Sequence, residues 1–403
     1  MPAAQAAGVA ATNRQFVWLC ASDAATLLAG STTTTALPVL VISARGGAPA
    51  LAQLAAAVLL SQVAALGVGG VLGDKAPRQR LMMLADLLQG ASALGLTAAF
   101  SANKPALNLV ALLAAVRGAG LGIYIPASQG LLTQLVADGW LHKANSIRRT
   151  IASTAQITGA LAGAWLAATV GPSTMAVVGL LCLLSAMGRL GLRGVKPIVS
   201  SGEDWFHAAR NGVREVSQRR WLMQTVLAFA IVNAAFVGCI SVLGPLRVIS
   251  SLGGAGSWGV ISAATAAGSV LGAVAAFAWR PQRPLQRSIF IASVIGIEPL
   301  ALAMGNLPIV VLGAFVAGAC LEMFGILWTS ILQRSIPNEV QSRVFAFDAL
   351  GSLALSPLGP VVASLAMANF GTEVTLVATG FVMFVACALL ALLTRSEEPS
   401  TQQ

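Results

Sequence analysis

Charged side chains are scarce in this sequence of 403 residues. Asp, Glu, Lys and Arg together make up 9% of it, whereas soluble domains carry roughly a quarter. Hydrophobic residues make up 57% and the mean hydropathy is +0.81. A soluble fold could not bury so much apolar surface. Apolar runs of about 20 residues recur along the chain between short polar breaks, which is typical of a polytopic helical membrane protein.

Residues suited to catalysis or metal binding are equally few. The sequence has two histidines, one tyrosine and five cysteines. Both histidines fall between predicted helices, and the cysteines show no metal-ligand spacing. No nucleophile and base pattern, phosphate-binding loop or nucleotide-binding domain is visible. We therefore expect no enzymatic activity, no cofactor and no metal.

The hydropathy pattern predicts an all-α membrane protein with twelve transmembrane helices. The longest polar segment divides them into a six-helix bundle at 1–193, a cytoplasmic linker with an amphipathic helix at 194–220, and a second six-helix bundle at 221–403. Similar short motifs recur at an offset of about 200 residues, as in internally duplicated transporters. The predicted helices are 15–42, 49–72, 81–101, 106–136, 145–170, 173–193, 221–249, 257–279, 288–304, 309–334, 343–369 and 373–394.

Basic residues are distributed unevenly between the two sides of the predicted helices. With the N-terminus inside, the cytoplasmic segments collect most Lys and Arg residues, among them Arg148 and Arg189, and the other side receives only Arg45, Lys104 and Arg247. Short loops rich in Lys and Arg stay in the cytoplasm. The asymmetry predicts that both termini are cytoplasmic, and it accounts for the net charge of +10 without a nucleic-acid partner.

Six ionisable residues inside the predicted helices are candidates for function. A charge at the bilayer centre costs roughly 2.5–3.5 kcal/mol even on the lenient scale, so each is expected to face a cavity or a partner. Helical rise places Arg117 and Glu322 near the middle of the membrane, and three of the acids in its cytoplasmic half. The six residues are Asp23, Asp86, Arg117, Glu298, Glu322 and Asp348.

These residues allow alternative roles. Glu322 is the first candidate for a proton carrier, because burial there would favour the protonated form, and Asp23 is the second. Asp23 could instead form a structural pair or cap with a neighbouring helix. Asp86 and Asp348 lie close enough to the basic loops to be structural ion partners. Glu298 precedes a proline, where a kink could expose it to a cavity.

The stretch "GVLGDKAPRQR" resembles the loop between the second and third helices of the major facilitator superfamily, commonly written G-x-L-a-D-R-x-G-R-R. The stretches "ASDAATLLAGSTTTTALPVLV" and "LWTSILQRSIPNEVQSRVFAFDALGSLALSPLGP" resemble the branch that contains macrolide-type and enterobactin-type exporters. With Ala144-Asn145 at the start of the fifth helix, the resemblance covers essentially the whole chain. It implies two pseudo-symmetric six-helix bundles.

The resemblance also implies a cytoplasmic gate. In the family the loop acid holds this gate, and the role maps onto Asp74, with Lys75, Arg78 and Arg80 around it. Asp86 and Asp348 are further gating candidates. The three bases could instead serve topology alone. Pro77 replaces the usual second glycine, so the turn is expected to be stiffer than in the family.

Arg117 opens the stretch "RGAGLG", which resembles the superfamily pattern R-x-x-x-G-x-G but is one residue shorter. The resemblance links this arginine to proton transfer and places an acid at the position of Asp23, but it gives no role to Glu298. The proton-coupling candidates are Glu322, Asp23, Arg117 and Glu298. Arg117 could instead be a buried counter-ion without a role in transport. We expect its acidic partner to be Glu322 or Asp23. The fifth helix lacks the proline of the antiporter motif of many drug exporters.

Together these features predict a proton-coupled exporter of a small, largely apolar molecule that works by alternating access in the bacterial plasma membrane. Its partners are the cargo, protons and the lipid bilayer, and we expect a monomer. A lysophospholipid or lipid translocator and a non-transporting membrane sensor are the alternatives. The candidate cargo contacts, each of which could also be a packing residue, are Tyr124, Gln129, Gln156, Asn233, Phe236 and Trp328.

Overall fold

The computed structural model describes residues 2–102, 105–136, 141–192, 219–279, 281–336 and 338–395. This part of the chain contains fifteen α-helices and one π-helical turn, and no strand. The first six helices are α1 (Pro2–Ser43), α2 (Ala48–Lys75), α3 (Arg78–Ser101), α4 (Leu107–Leu135), α5 (Leu141–Thr169) and α6 (Ser173–Arg189). The others are α7 (Arg220–Gly238), α8 (Gly244–Ser251), α9 (Gly254–Ala278), α10 (Pro284–Val294), α11 (Ile297–Met304), α12 (Leu307–Ser335), α13 (Asn338–Leu353), α14 (Leu358–Phe370) and α15 (Thr372–Leu393).

Twelve of the apolar segments correspond to the twelve predicted transmembrane helices. Eleven helical segments among the described residues are long and apolar enough to cross a membrane, and α6 is a shorter apolar helix of 17 residues. That length is still close to the minimum that spans a bilayer. Helix α2 runs further than predicted, so that only Ala76 and Pro77 separate it from α3.

Proline interrupts two of these segments inside the C-terminal half of the chain. Pro245 has no N–H to continue the helical ladder, and the turn before it, Cys239–Leu243, widens into a π-helix in which the Gly244 N–H reaches the carbonyl of Cys239. Pro299 acts similarly between α10 and α11, where the Glu298 N–H donates to the carbonyl of Ile295 over 3.4 Å. The predicted kink before Pro299 is therefore confirmed.

Glycine allows two helix pairs to pack backbone against backbone. A Cβ atom at Gly163 of α5 would overlap the carbonyl of Thr32 in α1, and one at Gly318 of α12 would overlap the carbonyl of Thr265 in α9. Small residues at such contacts are how helices associate in lipid, where hydrophobic attraction between helices is weak. Larger residues at these two sites would force the helices apart.

The chain forms two compact units, Met1–Ala44 with Ala57–Gly202, and Arg45–Ala56 with Glu203–Gln403. In the first unit, α1 packs on α5 and α6, and α3 packs on α4 and α6. In the second, α9 packs on α12, and α7 packs on α13, α14 and α15. The predicted amphipathic helix of the linker falls within residues 193–218, outside the described part, and the predicted domain boundaries stay a prediction.

Candidate functional site

The N-terminal unit contains a buried pair of opposite charges where α3 and α6 meet. Arg189 at the end of α6 has no exposed side-chain surface, and its Nε lies 2.5 Å from Oδ2 of Asp86 in α3. Asp86 also accepts hydrogen bonds from Ser185 over 2.8 Å and from Thr26 of α1 over 2.9 Å. Both carboxylate oxygens are thus occupied, as a buried charge requires.

Asp23 of α1 extends this pair to two further helices. Arg148 of α5 lies 2.7 Å from its Oδ2, and Nη1 of Arg189 lies 3.4 Å from its Oδ1. The hydroxyl of Tyr124 in α4 donates to Oδ1 over 3.0 Å, and Arg148 also donates to Ser128 over 2.8 Å. Five helices therefore converge on one hydrogen-bonded network.

We call Asp23, Asp86, Arg148 and Arg189 the arginine–aspartate cluster. Its two carboxylates and two guanidinium groups balance each other in formal charge. Buried ion pairs repay their desolvation only when the geometry is good and the remaining hydrogen bonds are satisfied. The cluster meets both conditions, and its ion pairs connect α1 with α5 and α6, and α3 with α6.

Some predictions from the sequence agree with the contacts of this cluster, and others do not. Asp86 is an ion partner, as expected, but its partner Arg189 is buried rather than part of a cytoplasmic loop. The sequence had assigned Arg148 and Arg189 to topology and missed their role. Ser185 and Arg189 are four residues apart on α6, and this shared helical face was the signal that could have revealed an inward-pointing arginine.

Arg117 does not belong to the arginine–aspartate cluster. Its guanidinium donates to the carbonyl of Gly30 over 3.3 Å and lines a cavity of about 10 Å³ with Thr33 and Gln89. Asp23 pairs with other arginines, so the expected pair of Arg117 with Asp23 is wrong. A role of Arg117 in proton transfer, and a pairing with Glu322, stay predictions.

The C-terminal unit contains a larger cavity of about 120 Å³. Helices α7, α12 and α13 supply most of its wall, and the connection between α10 and α11 supplies Ile295. Three predicted cargo contacts, Asn233, Phe236 and Trp328, line it together. The remaining lining residues are Thr225, Phe229, Val232, Leu321, Phe324, Asp348 and Ser352.

Asp348 is the acid in the wall of this cavity. Its Oδ2 accepts from the indole N–H of Trp328 over 2.9 Å, and its Oδ1 accepts from the hydroxyl of Ser352 over 3.3 Å. No salt bridge joins it to a basic residue among the side chains that the structure describes. The ion pair expected for Asp348 is thus not observed within the described residues.

Glu298 at the start of α11 is 3% exposed. Its Oε2 has no hydrogen-bond partner in the described part of the chain, and it does not line the cavity. The expectation that the kink exposes it to a cavity is therefore wrong, because the neighbouring helices pack over the break. Glu322, near the middle of α12, is partly buried. Proton coupling through either acid stays a prediction.

The remaining candidates are only partly described. The side chains of Asp74, Lys75 and Gln129 lie outside the described residues. Arg78 and Arg80 form the first turn of α3, where Arg80 is exposed. The gating role of this loop stays a prediction. The candidate cargo contact Gln156 is exposed on α5, whereas Tyr124 is buried and bonded to Asp23.

Metal binding has no support in the described part of the structure. No group of three or more His, Cys, Asp or Glu side chains there is placed to hold an ion. The described polar side chains instead form a charge-balanced cluster in the N-terminal unit. In the C-terminal unit, Asp348 is the one acid in the wall of a mainly apolar cavity. Such features suit the handling of a small solute within a membrane.

Comparison with known families agrees with this architecture. The sequence profile of the Major Facilitator Superfamily matches residues 19–297. The chain belongs to the Major Facilitator Superfamily. It is a multi-pass membrane transporter and not an enzyme, as its family and the names of its relatives indicate.

Two bacterial relatives match most of the transporter. It is 27% identical over 346 residues to the multidrug efflux pump Tap of Mycobacterium tuberculosis, with 81% of each chain covered. It is 25% identical over 363 residues to the uncharacterized MFS-type transporter YvqJ of Bacillus subtilis, with 87% of this chain and 85% of that protein covered. Efflux is therefore the transport direction named for a relative.

Solved structures share the fold at low sequence identity. The nucleoside transporter NupG has a TM-score of 0.80 and 10% identity, over 95% of this chain and 100% of its own. A bacterial homologue of the iron transporter ferroportin has a TM-score of 0.72 and 15% identity, over 94% of this chain and 98% of its own. Both structural similarities establish the fold. At this low sequence identity they do not identify the cargo.

Proposed function

We propose that this transporter exports a small, largely apolar molecule in exchange for protons by alternating access. The observation that carries the proposal is the buried carboxyl of Glu298, which no basic side chain neutralises among the described residues. An isolated carboxylate is expensive to bury, whereas its protonated form is tolerated. A group of this kind suits a carrier that is loaded with a proton in one state and releases it in another.

The cavity of the C-terminal unit supports a small, largely apolar cargo. Its wall is mainly Phe, Trp, Leu, Ile and Val, with a few polar groups from Thr225, Asn233, Asp348 and Ser352. Ligand sites of small apolar molecules combine such walls with a small number of polar groups that fix orientation. The name of the relative Tap as a multidrug efflux pump supports the same reading.

The proposal includes a setting and a gate. We place the transporter in the bacterial plasma membrane with both termini cytoplasmic, because basic residues are concentrated on one side. We assign Asp74 to the cytoplasmic gate, with the nearby bases as its supports. Asp74→Asn should then change how fast the variant Gln156→Cys, on an exposed site of α5, reacts with a membrane-impermeant thiol reagent. An unchanged rate would mean that the loop does not act as a gate and that its bases serve only the topology.

Transport into everted vesicles tests the function directly. The probes are ethidium, a cation, and chloramphenicol, which is uncharged, each measured with and without an inside-acid pH gradient. We expect the gradient to drive accumulation of at least one probe, and Glu298→Gln to abolish that accumulation because the glutamine cannot release a proton. Glu322→Gln tests the second acid in the same way.

Glu373→Gln is the matched control, since this acid is exposed and paired with Arg247 on the surface of the same unit. It should transport like the parent protein. Gradient-independent flipping of a fluorescent lysophospholipid would instead identify a lipid translocator. Full gradient-driven transport by both Glu298→Gln and Glu322→Gln would refute these two acids as proton carriers.

A further inference from the structure

The cavity of the C-terminal unit is bordered by aromatic rings in nearly parallel planes. Phe229 of α7 and Phe324 of α12 stack with centroids 4.2 Å apart and an angle of 6° between their planes. Phe324 and Trp328, one helical turn apart on α12, lie 6.2 Å apart at 13°. All three residues line the cavity. The ring faces that this stacking leaves uncovered carry negative electrostatic potential and attract cations.

The wall of the same cavity contains one carboxylate. Asp348 receives hydrogen bonds from two neutral donors, Trp328 and Ser352, and each carboxylate oxygen can accept more than one. These bonds fix its direction without cancelling its charge. Among the described side chains no basic group pairs with it, so its ionised form lacks a counter-ion, which a cationic ligand would supply.

We infer that this aromatic cavity with Asp348 in its wall binds the positively charged headgroup of a lipophilic amine or quaternary ammonium compound. The aromatic faces and the carboxylate favour the same sign of charge, and both act more strongly when water is excluded. The volume of about 120 Å³ has room for such a headgroup. The rest of the molecule extends beyond it.

An anionic or a neutral cargo fits the observations less well. An anion would face the charge of Asp348, and the polar groups at the cavity offer no cation to offset it. A neutral molecule would supply no counter-ion, so Asp348 would have to take up a proton to avoid the cost of an unpaired charge in an apolar wall. Asp23 and Asp86 of the N-terminal unit are already paired with arginines, and the cavity described there is only about 10 Å³.

This inference rests on the proposed function in one respect, since it names the cargo that would be exported. Binding of that cargo can be tested without transport. The probes are phenyltrimethylammonium, which is permanently charged, and its uncharged isostere tert-butylbenzene. Equilibrium dialysis of each labelled probe against the full-length protein in lipid nanodiscs, with empty nanodiscs subtracted, isolates the effect of charge. Because the cation has no titratable proton, the outcome is independent of proton coupling.

The parent protein should bind the cation about tenfold more tightly than the isostere. Asp348→Asn should remove this preference and leave binding of the isostere unchanged, since the amide oxygen can still accept from Trp328. Phe324→Leu should weaken binding of the cation more than that of the isostere. Glu373→Gln removes an exposed acid away from the cavity and should bind both probes normally.

Retained binding of tert-butylbenzene shows that a variant is folded. Equal affinity of the parent for the two probes, or equal loss of both in Asp348→Asn, would overturn the inference. Gradient-driven export of chloramphenicol without cation binding would refute only the cargo class. Cation binding without any gradient-driven transport would refute the proposed function and keep the site.

Discussion

The two units of this transporter differ in how the acids inside their helices are partnered. In the N-terminal unit, Asp23 and Asp86 are held by Arg148 and Arg189 in a charge-balanced cluster. In the C-terminal unit, Glu298 and Asp348 have no ion pair within the described residues. A balanced cluster resists changes of charge, whereas an unbalanced acid responds to a proton or a cation.

This difference revises the ranking of candidates. Asp23 was a proton-carrier candidate with a structural pair as its alternative, and its two arginine contacts favour the structural role. Glu298 was also a proton-carrier candidate, and its isolation in a buried position makes it the stronger of the two. The comparison therefore directs proton and cargo chemistry to the C-terminal unit and structural electrostatics to the N-terminal unit.

Removing the most buried charge should have the largest effect. Arg189→Met leaves Asp86 unpaired and Asp23 with one arginine, and breaking a buried pair costs about 3–5 kcal/mol. We expect a large loss of thermal stability in detergent. Arg14→Met, at an exposed position of α1, is the control and should be nearly silent. A silent Arg189→Met would show that the cluster does not stabilise the N-terminal unit.

Neutralising one acid in each unit tests the comparison directly. Asp86→Asn should lower thermal stability because it leaves Arg189 with a weaker partner, by about 2 kcal/mol or more. Glu298→Gln should keep or raise it, because a neutral amide replaces an unpaired acid. Unfolding in the same detergent measures both variants. Similar losses of stability would mean that Glu298 has a partner of comparable strength.

Arg148→Lys should have a smaller effect. Its side chain is 18% exposed, and two of its nitrogens reach Asp23. Lysine keeps the charge but loses the planar fork, which typically removes about 1 kcal/mol at a partly exposed site. The expected result is a modest drop in the unfolding temperature with insertion preserved. Arg148→Gln should be worse than Arg148→Lys, and the reverse order would contradict a charge-based role.

The smallest effect is expected for the coupling of Arg117 with Asp23. The two residues do not pair in this structure, so their effects on stability should add within about 0.5 kcal/mol. Thermal unfolding of Arg117→Met, Asp23→Asn and the double variant measures the coupling. Strong non-additivity would show that the two groups interact in another conformation, as the sequence had suggested.

The sequence by itself determined the class, the twelve spans and the family. These follow from local properties: apolar runs of bilayer length, polar breaks, and the loop motif between the second and third helices. It also located the proline that interrupts the helix near residue 299, but not the break before Pro245, where one unbroken helix was predicted. Such features depend on neighbouring residues along the chain, and no tertiary contact is needed to read them.

Only the tertiary structure decided which charges meet. Arg189 is 103 residues from Asp86, and its basic character near a predicted helix end had indicated a cytoplasmic location. Arg189 lies on the face of α6 that packs against α1 and α3, so its side chain points into the N-terminal unit. The same holds for Trp328 and Asp348, whose contact depends on how α12 packs on α13. Ion pairs and cavities are formed by faces of different helices, and the hydropathy of each helix leaves its rotation about its own axis undetermined.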